Sequence, residues 1–247
     1  MTLKLELRVN MSIEFISGLK FGALGPKTLH LCIDMQLMFA LETKWASEAI
    51  WRALPGILKV SSRYTSQTVF TRFICPRDLS ETKGQWTRFY ADAEGMLSNN
   101  LHPSMMELLP ELLKFIPPAR IVDRKVFSAL ASPDLRELFD QGSIDTLVIS
   151  GFETDVCVLA TVLAAIDLGF RVVLIKDALA SSNEAGEKAA LHQVFSRFDQ
   201  QIEVIDTEEL FRNWDELNEV RKKRKVYEAG PSGSELRTLP RIKKAGS

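Results

Sequence analysis

The sequence predicts a single α/β domain: a doubly wound, mostly parallel sheet with helices on both faces. Two observations support this prediction. Short apolar runs rich in β-branched residues alternate with helical segments along the chain. One stretch, residues 145–178, also contains a strand, a buried helix and a second strand in direct succession, at 146–149, 156–168 and 170–175. That order is typical of a crossover between parallel strands.

The other predicted elements follow the same alternation. Apolar runs predict further strands at 28–34, 67–74, 119–124 and 202–206. Helices are predicted over 44–60, with an interruption at Pro55 and Gly56, and over 104–115, 133–141 and 184–198. Thr207 is the expected N-cap of a final helix that runs to about residue 225.

Three parts of the chain are distinguished by composition. Residues 28–220 form the predicted domain. Residues 1–27 form an N-terminal extension, in which apolar and polar residues alternate over 3–13, as in either an added edge strand or a poorly ordered segment. Residues 221–247 begin with the basic run RKKRK, continue with Gly, Pro, Ser and Lys, and are predicted to be a flexible tail.

Composition restricts the possible functions. The chain has 247 residues, of which 46% are hydrophobic and 26% charged, and its formal net charge is -1. This charge does not favour a nucleic-acid partner, and no apolar run is long enough to span a bilayer. The three cysteines have neither a short metal-ligand spacing nor the even count of a disulfide framework. We therefore expect a cytoplasmic protein with reduced thiols and no membrane partner.

Three residues that could take part in catalysis lie at or just beyond the ends of predicted strands. Asp34 ends the first core strand, Lys125 follows the strand at 119–124, and Cys157 lies in the first turn of the buried helix. Ligands of open α/β sheets bind beyond the carboxyl ends of the strands, where these side chains would meet. A cysteine at a helix N-terminus should have a lowered pKa. Taken singly, Asp34 could be a helix N-cap, Lys125 a solvated surface residue and Cys157 a packing residue.

Residues 75–101 are polar and aromatic without a clear period. A loop of this length in a compact domain is usually functional, so we interpret it as a wall or lid of the substrate pocket, with Trp86 as the best candidate. The alternative is that its aromatic residues only anchor the loop to the core.

Together these features resemble the isochorismatase-like cysteine hydrolase family. The matching stretches are IDMQ at 33–36, RKVFSAL at 124–130 and the segment 150–178. The last segment fits the family pattern at Gly151, Thr154, Cys157, Val158, Thr161, Ala165, Gly169, Phe170, Val172, Asp177 and Ala178. Leu130 stands where the lysine motif of the family usually has phenylalanine.

The resemblance implies an isochorismatase-like fold. It also implies an enzyme, often a dimer or tetramer, that hydrolyses C–N bonds of small molecules. Cys157 would be the nucleophile, Asp34 the general base and Lys125 the cation beside both. It also implies a cis peptide between Phe152 and Glu153, and an oxyanion hole formed by the N–H groups of Glu153 and Cys157. Glu153 is larger and more charged than the residue of many members, so we expect its side chain to point away from the reacting carbonyl.

The subfamily is narrowed by two further observations. Nicotinamidases of this family carry a metal site, whereas His30, His102 and His192 lack that spacing, so no metal or other cofactor is expected. True isochorismatases lack the nucleophilic cysteine, so Cys157 favours cleavage of an amide, ureido or carbamoyl bond. The alternatives are a vinyl-ether hydrolase of isochorismatase type and a non-catalytic binding protein. The expected substrate-binding residues are Gln36, Phe39, Trp86, Phe127 and Phe152.

Overall fold

A computed structural model describes residues 18–214 of the chain. Most of the N-terminal extension, the continuation of the last predicted helix and the basic tail lie outside these residues. The strands are β1 (Thr28–Ile33), β2 (Thr68–Phe73), β3 (Arg120–Arg124), β4 (Thr146–Phe152), β5 (Arg171–Ala180) and β6 (Ile202–Ile205). The helices are α1 (Ile50–Arg63), α2 (Gln85–Ala91), α3 (Pro110–Leu113), α4 (Pro133–Gly142), α5 (Leu159–Asp167) and α6 (Glu184–Ala189), and a further helical stretch covers 207–214.

The six strands form one sheet in the order β3-β2-β1-β4-β5-β6, and every pair is parallel. The predicted single α/β domain is therefore confirmed. The chain runs outward from β1 to β3 and then returns to place β4 beside β1. This reversal creates a crevice beyond the carboxyl ends of β1 and β4, the usual place of a ligand in such sheets.

The central strands are apolar on both faces because helices cover both faces of the sheet. In β4, Val148 packs into the layer that contains Ile57 of α1, whereas Leu147 and Ile149 pack into the layer that contains Val162 of α5. Successive side chains of a strand point to opposite faces, so one apolar run supplies both layers.

Several elements differ from the prediction. The region 75–101 is a series of short helical turns around α2 rather than an irregular loop. The expected helix at 104–115 is divided into a 3-10 turn, Pro103–Met106, and α3, each with a proline in its first turn. A proline at such a position starts a helix but cannot continue one. Conversely, α1 continues through Pro55, where an interruption was expected.

Within residues 18–214, no helix is both long enough and apolar enough to cross a bilayer.

Candidate active site

Asp34 lies directly beyond the end of β1, at the reversal of the sheet. Its φ is +50°, a left-handed conformation that aspartate tolerates better than most residues. The neighbouring strand passes close by: Gly151 of β4 pairs with Ile33 and has a φ of +125°. A Cβ added at Gly151 would lie 2.2 Å from the Ile33 carbonyl oxygen. Glycine is therefore required for β4 to approach the strand that carries Asp34.

The Asp34 carboxylate is fully buried and bonded through both oxygens. Oδ1 accepts a hydrogen bond of 2.8 Å from Thr71 Oγ1, and Oδ2 accepts one from Nη2 of Arg124. Burial raises the pKa of Asp34, while Arg124, Thr71 and the Cys157 thiol oppose that shift. Asp34 is thus a buried carboxyl group whose raised proton affinity comes from burial and is only partly offset by its partners.

The cation at this carboxylate is Arg124, not Lys125. Arg124 is buried at the end of β3, its Nη1 donates to the Val126 carbonyl, and its guanidinium lies 4.9 Å from the centre of the Phe73 ring. Lys125 is exposed. The prediction that Lys125 joins Asp34 and Cys157 is wrong because adjacent residues near the end of a strand point in opposite directions.

Cys157 lies in the helical turn Thr154–Val158, which leads from β4 into α5. Its side chain is within hydrogen-bonding reach of both Asp34 and Arg124. The expected lowering of the thiol pKa is wrong: burial and the Asp34 carboxylate raise it, and Arg124 only partly opposes them. Burial and the Asp34 carboxylate therefore both favour the neutral thiol over the thiolate.

Cys157 opens onto a cavity of about 340 Å³. The cavity is lined by five aromatic residues, two aliphatic residues and four residues with polar or ionisable groups: Phe39, Trp45, Phe73, Phe89 and Phe127; Ala46 and Val156; and Lys44, Glu153, Cys157 and Ser182. Phe39 and Phe127 thus lie where a bound molecule would contact them. The size suits a small molecule.

Three other residues expected to contact substrate do not line this cavity. The buried amide of Gln36 is occupied by main-chain groups: it accepts from Phe73 N and donates to the carbonyls of Phe73 and Met106. Trp86 lies outside the cavity and packs against Phe127, with 4.8 Å between ring centres. Phe152 is buried against Phe39, at 5.8 Å. These side chains support the wall from behind rather than forming its surface.

The peptide bond between Phe152 and Glu153 is cis in the structure. The Glu153 side chain lies at the cavity wall, where its Oε1 accepts hydrogen bonds from Ser182 N, at 3.1 Å, and from Ser182 Oγ. Lys44, also at the wall, donates to Asp92 Oδ2 at 2.6 Å, and both of these side chains are well exposed.

Sequence reasoning missed Arg124, Thr71, Lys44, Trp45 and Ser182. A signal existed for Arg124: Val122 and Arg124 are the buried residues of β3, in step with the alternation of a strand. No local pattern marks Thr71 or Ser182, since each contacts the site across a distant chain segment. Among residues 18–214, no group of three or more His, Cys, Asp or Glu side chains is arranged to hold a metal ion.

The chain is similar in sequence to a known protein family and to one of its members. The family model described as the isochorismatase domain matches residues 28–236. Over 70 residues the chain is 39% identical to an uncharacterized isochorismatase family protein, PncA, of Bacillus subtilis (strain 168); the match covers 28% of this chain and 38% of that protein's length.

Two solved structures share the fold. A cysteine hydrolase from Pseudomonas syringae pv. phaseolicola 1448A is 23% identical, with a TM-score of 0.64 and coverage of 77% of this chain and 95% of that chain. N-carbamoylsarcosine amidase from Thermoplasma acidophilum is 17% identical, with a TM-score of 0.58 and coverage of 73% of this chain and 96% of that chain. At these identities the likeness shows the fold alone.

Proposed function

The chain belongs to the isochorismatase family, and on this premise we propose that it is a cysteine hydrolase of small molecules. It cleaves a C–N amide, ureido or carbamoyl bond through a thioester at Cys157 and releases a carboxylate and ammonia or an amine. Neither a metal nor another cofactor takes part.

One observation carries this proposal: Asp34, Arg124 and Cys157 come from three separate strand ends and meet beside a cavity. Asp34 and Arg124 form a buried ion pair, and the Cys157 side chain lies close enough for both to affect its pKa. A nucleophile within reach of a base, with the base oriented by a third group, is the usual arrangement for covalent catalysis. A purely structural cysteine would require none of these partners.

The proposed reaction begins with proton transfer from the Cys157 thiol to Asp34 as Sγ attacks the substrate carbonyl carbon. The N–H groups of Glu153 and Cys157 stabilise the oxyanion that forms. Asp34 then returns the proton to the leaving nitrogen, the C–N bond breaks, and a thioester remains. Asp34 next takes a proton from a water molecule that attacks the thioester, and it finally reprotonates the thiolate that leaves. Arg124 keeps its positive charge throughout and offsets the charge that moves between Asp34 and Sγ.

The names of two structural neighbours agree with this chemistry, since one is a cysteine hydrolase and the other an amidase acting on a carbamoyl compound. The proximity of the Cys157 thiol to Asp34 also favours amide chemistry over vinyl-ether hydrolysis, which needs no sulfur nucleophile.

The test is an ammonia-release screen of small primary amides, ureas and carbamoyl compounds with the wild type, Cys157→Ala and Asp34→Asn. Cys75→Ala is the matched control, because it removes another buried cysteine that does not line the cavity. We expect both site variants to lose activity on any hit by at least about a thousandfold, and the control to retain it. Turnover that survived in both site variants would refute the mechanism.

A further inference from the structure

A carboxylate stands at the cavity wall beside the proposed nucleophile. Glu153 directly precedes the turn Thr154–Val158 that carries Cys157, and it lines the same cavity. Its own N–H is one of the two proposed oxyanion donors. A negative charge is therefore attached to the residue that must stabilise a developing negative charge.

This carboxylate is hydrogen-bonded to a neighbouring segment of the chain. Its Oε1 accepts from both Ser182 N and Ser182 Oγ. The segment that presents Ser182 is itself anchored, because Ser181 N donates to Glu187 Oε2 at 3.0 Å and Glu187 pairs with Arg52 at 2.7 Å. The two hydrogen bonds from Ser182 thus restrain the Glu153 carboxylate.

The second oxygen of the Glu153 carboxylate has no partner in the part of the chain that the structure describes. Within residues 18–214, Oε2 accepts no protein hydrogen bond, and no lysine or arginine forms an ion pair with Glu153. Asp34, in contrast, is paired with Arg124. Lys44 is the cation at the cavity wall, but its ammonium group is bonded to Asp92. Among the described residues that line the cavity, Glu153 is therefore a carboxylate without a cationic partner.

Such a charge opposes the reaction unless the substrate compensates it. An anion near the oxyanion raises the energy of the transition state, and the penalty grows where the cavity excludes water. A cationic group of the substrate beside Glu153 removes this penalty and gains a charge-assisted hydrogen bond. The aromatic walls suit an apolar body and also attract a cation.

We infer that Glu153 determines specificity by binding a cationic nitrogen of the substrate. The substrate class is a small amide, urea or carbamoyl compound with an apolar body and an ammonium, amidinium or guanidinium group close to the carbonyl. The inference rests on the proposed function, since it names the substrate class of that site, but the binding preference can be measured without turnover.

The test uses three bromoacetamides that share the reactive group and differ at the end of a short N-substituent: aminoethyl (cationic), propyl (neutral) and carboxyethyl (anionic). Rates of Cys157 labelling are measured by peptide mass spectrometry and divided by the rates for N-acetylcysteine amide. The variants are Glu153→Gln, which can still accept the Ser182 bonds, and Glu184→Gln. The latter removes one carboxylate from an exposed Glu184–Lys188 pair outside the cavity.

We expect the wild type and Glu184→Gln to prefer the cationic reagent over the neutral one by about tenfold or more, with the anionic reagent slowest. Glu153→Gln should lose most of this preference. Equal preferences in the wild type and Glu153→Gln, or no labelling of Cys157 by any reagent, would overturn the inference. A Glu153-dependent preference in a protein that hydrolyses no amide would instead contradict the proposed function and leave Glu153 as a cation-binding residue.

Discussion

Nη2 of Arg124 donates a hydrogen bond to Oδ2 of Asp34, and the side chains are only 1% and 0% exposed, respectively. The pair joins the ends of two strands, β1 and β3, that are not neighbours in the sheet. Thr71 of β2, which lies between them, donates to the other carboxylate oxygen. The charge pair is therefore both a part of the proposed catalytic site and a connection across one half of the sheet.

Breaking this pair should destabilise the fold. Arg124→Met leaves the Asp34 carboxylate buried without its cation, and loss of one partner of a buried pair costs about 3–5 kcal/mol of unfolding free energy. Since Arg124 lowers the pKa of Asp34, its removal also raises that pKa further. Urea unfolding at neutral pH measures the loss. Should Arg124→Met not fold, Arg124→Lys, which keeps the charge, should fold with a smaller loss.

Lys125→Met is the matched control for this prediction. Lys125 is the next residue and carries the same charge, but it is exposed, so its replacement should change the unfolding free energy by at most about 0.5 kcal/mol. Equal effects of the two methionine variants would contradict the assignment of Arg124 as the partner of Asp34.

Gly151→Ala should disturb the site without changing a polar group. The new Cβ would lie 2.2 Å from the Ile33 carbonyl oxygen, and a φ of +125° disfavours any side chain. We expect a loss of about 3 kcal/mol or more of unfolding free energy, measured by urea unfolding, and slower labelling of Cys157 because Asp34 is displaced.

Gly95→Ala serves as the control for Gly151→Ala. No atom lies within 4 Å of the Cβ it would add, and its φ is not positive. This variant should be as stable as the wild type or slightly more so. A stable Gly151→Ala protein with normal labelling would mean that β1 and β4 do not need so close an approach.

His30 should make the fold sensitive to acid. It is fully buried between Thr68 Oγ1, at 3.1 Å, and Ser150 Oγ, at 2.8 Å, and burial lowers its pKa from 6.5 to about 3. Above pH 6.5 the imidazole is neutral in both the folded and the unfolded chain. As the pH falls below that value, only the unfolded chain binds the proton, so the unfolding free energy decreases by roughly 1.4 kcal/mol per pH unit until about pH 3.

The measurement is urea unfolding at several pH values between 7 and 4. His30→Gln, which can hydrogen-bond to the same two hydroxyl groups, should flatten the dependence between pH 6 and 5. His102→Gln, at an exposed position, should leave it unchanged. A wild-type protein whose stability is constant between pH 6 and 5 would be inconsistent with a neutral, buried His30.

The sheet could be predicted because most of its strands are short apolar runs covered on both faces, a local property of the sequence. Asp34 and Cys157 could be placed near each other for a related reason, since parallel strands bring their carboxyl ends to one edge. Arg124 was missed because two cations are adjacent, and a shift of one residue exchanges the buried and exposed sides of a strand.

The pocket was predicted less well because its wall depends on contacts between distant segments. Gln36 looked like a polar residue at the site, yet its partners are the main chain of Phe73 and Met106. Trp86 and Phe127 both looked like wall residues, but Trp86 packs against Phe127 in a tilted arrangement, and only Phe127 lines the cavity. Which ring faces inward is decided by packing, and no local sequence pattern records it.

The presence of a guanidinium where the family resemblance implies an amine has a consequence for proton transfer. An arginine does not give up its proton in a protein, so Arg124 can balance charge but cannot relay a proton. In the proposed reaction, Asp34 is then the sole carrier between sulfur, leaving nitrogen and water. The proton that departs with the product nitrogen is the same one that sat on sulfur before the attack, and each half of the cycle moves a single proton through one carboxyl group.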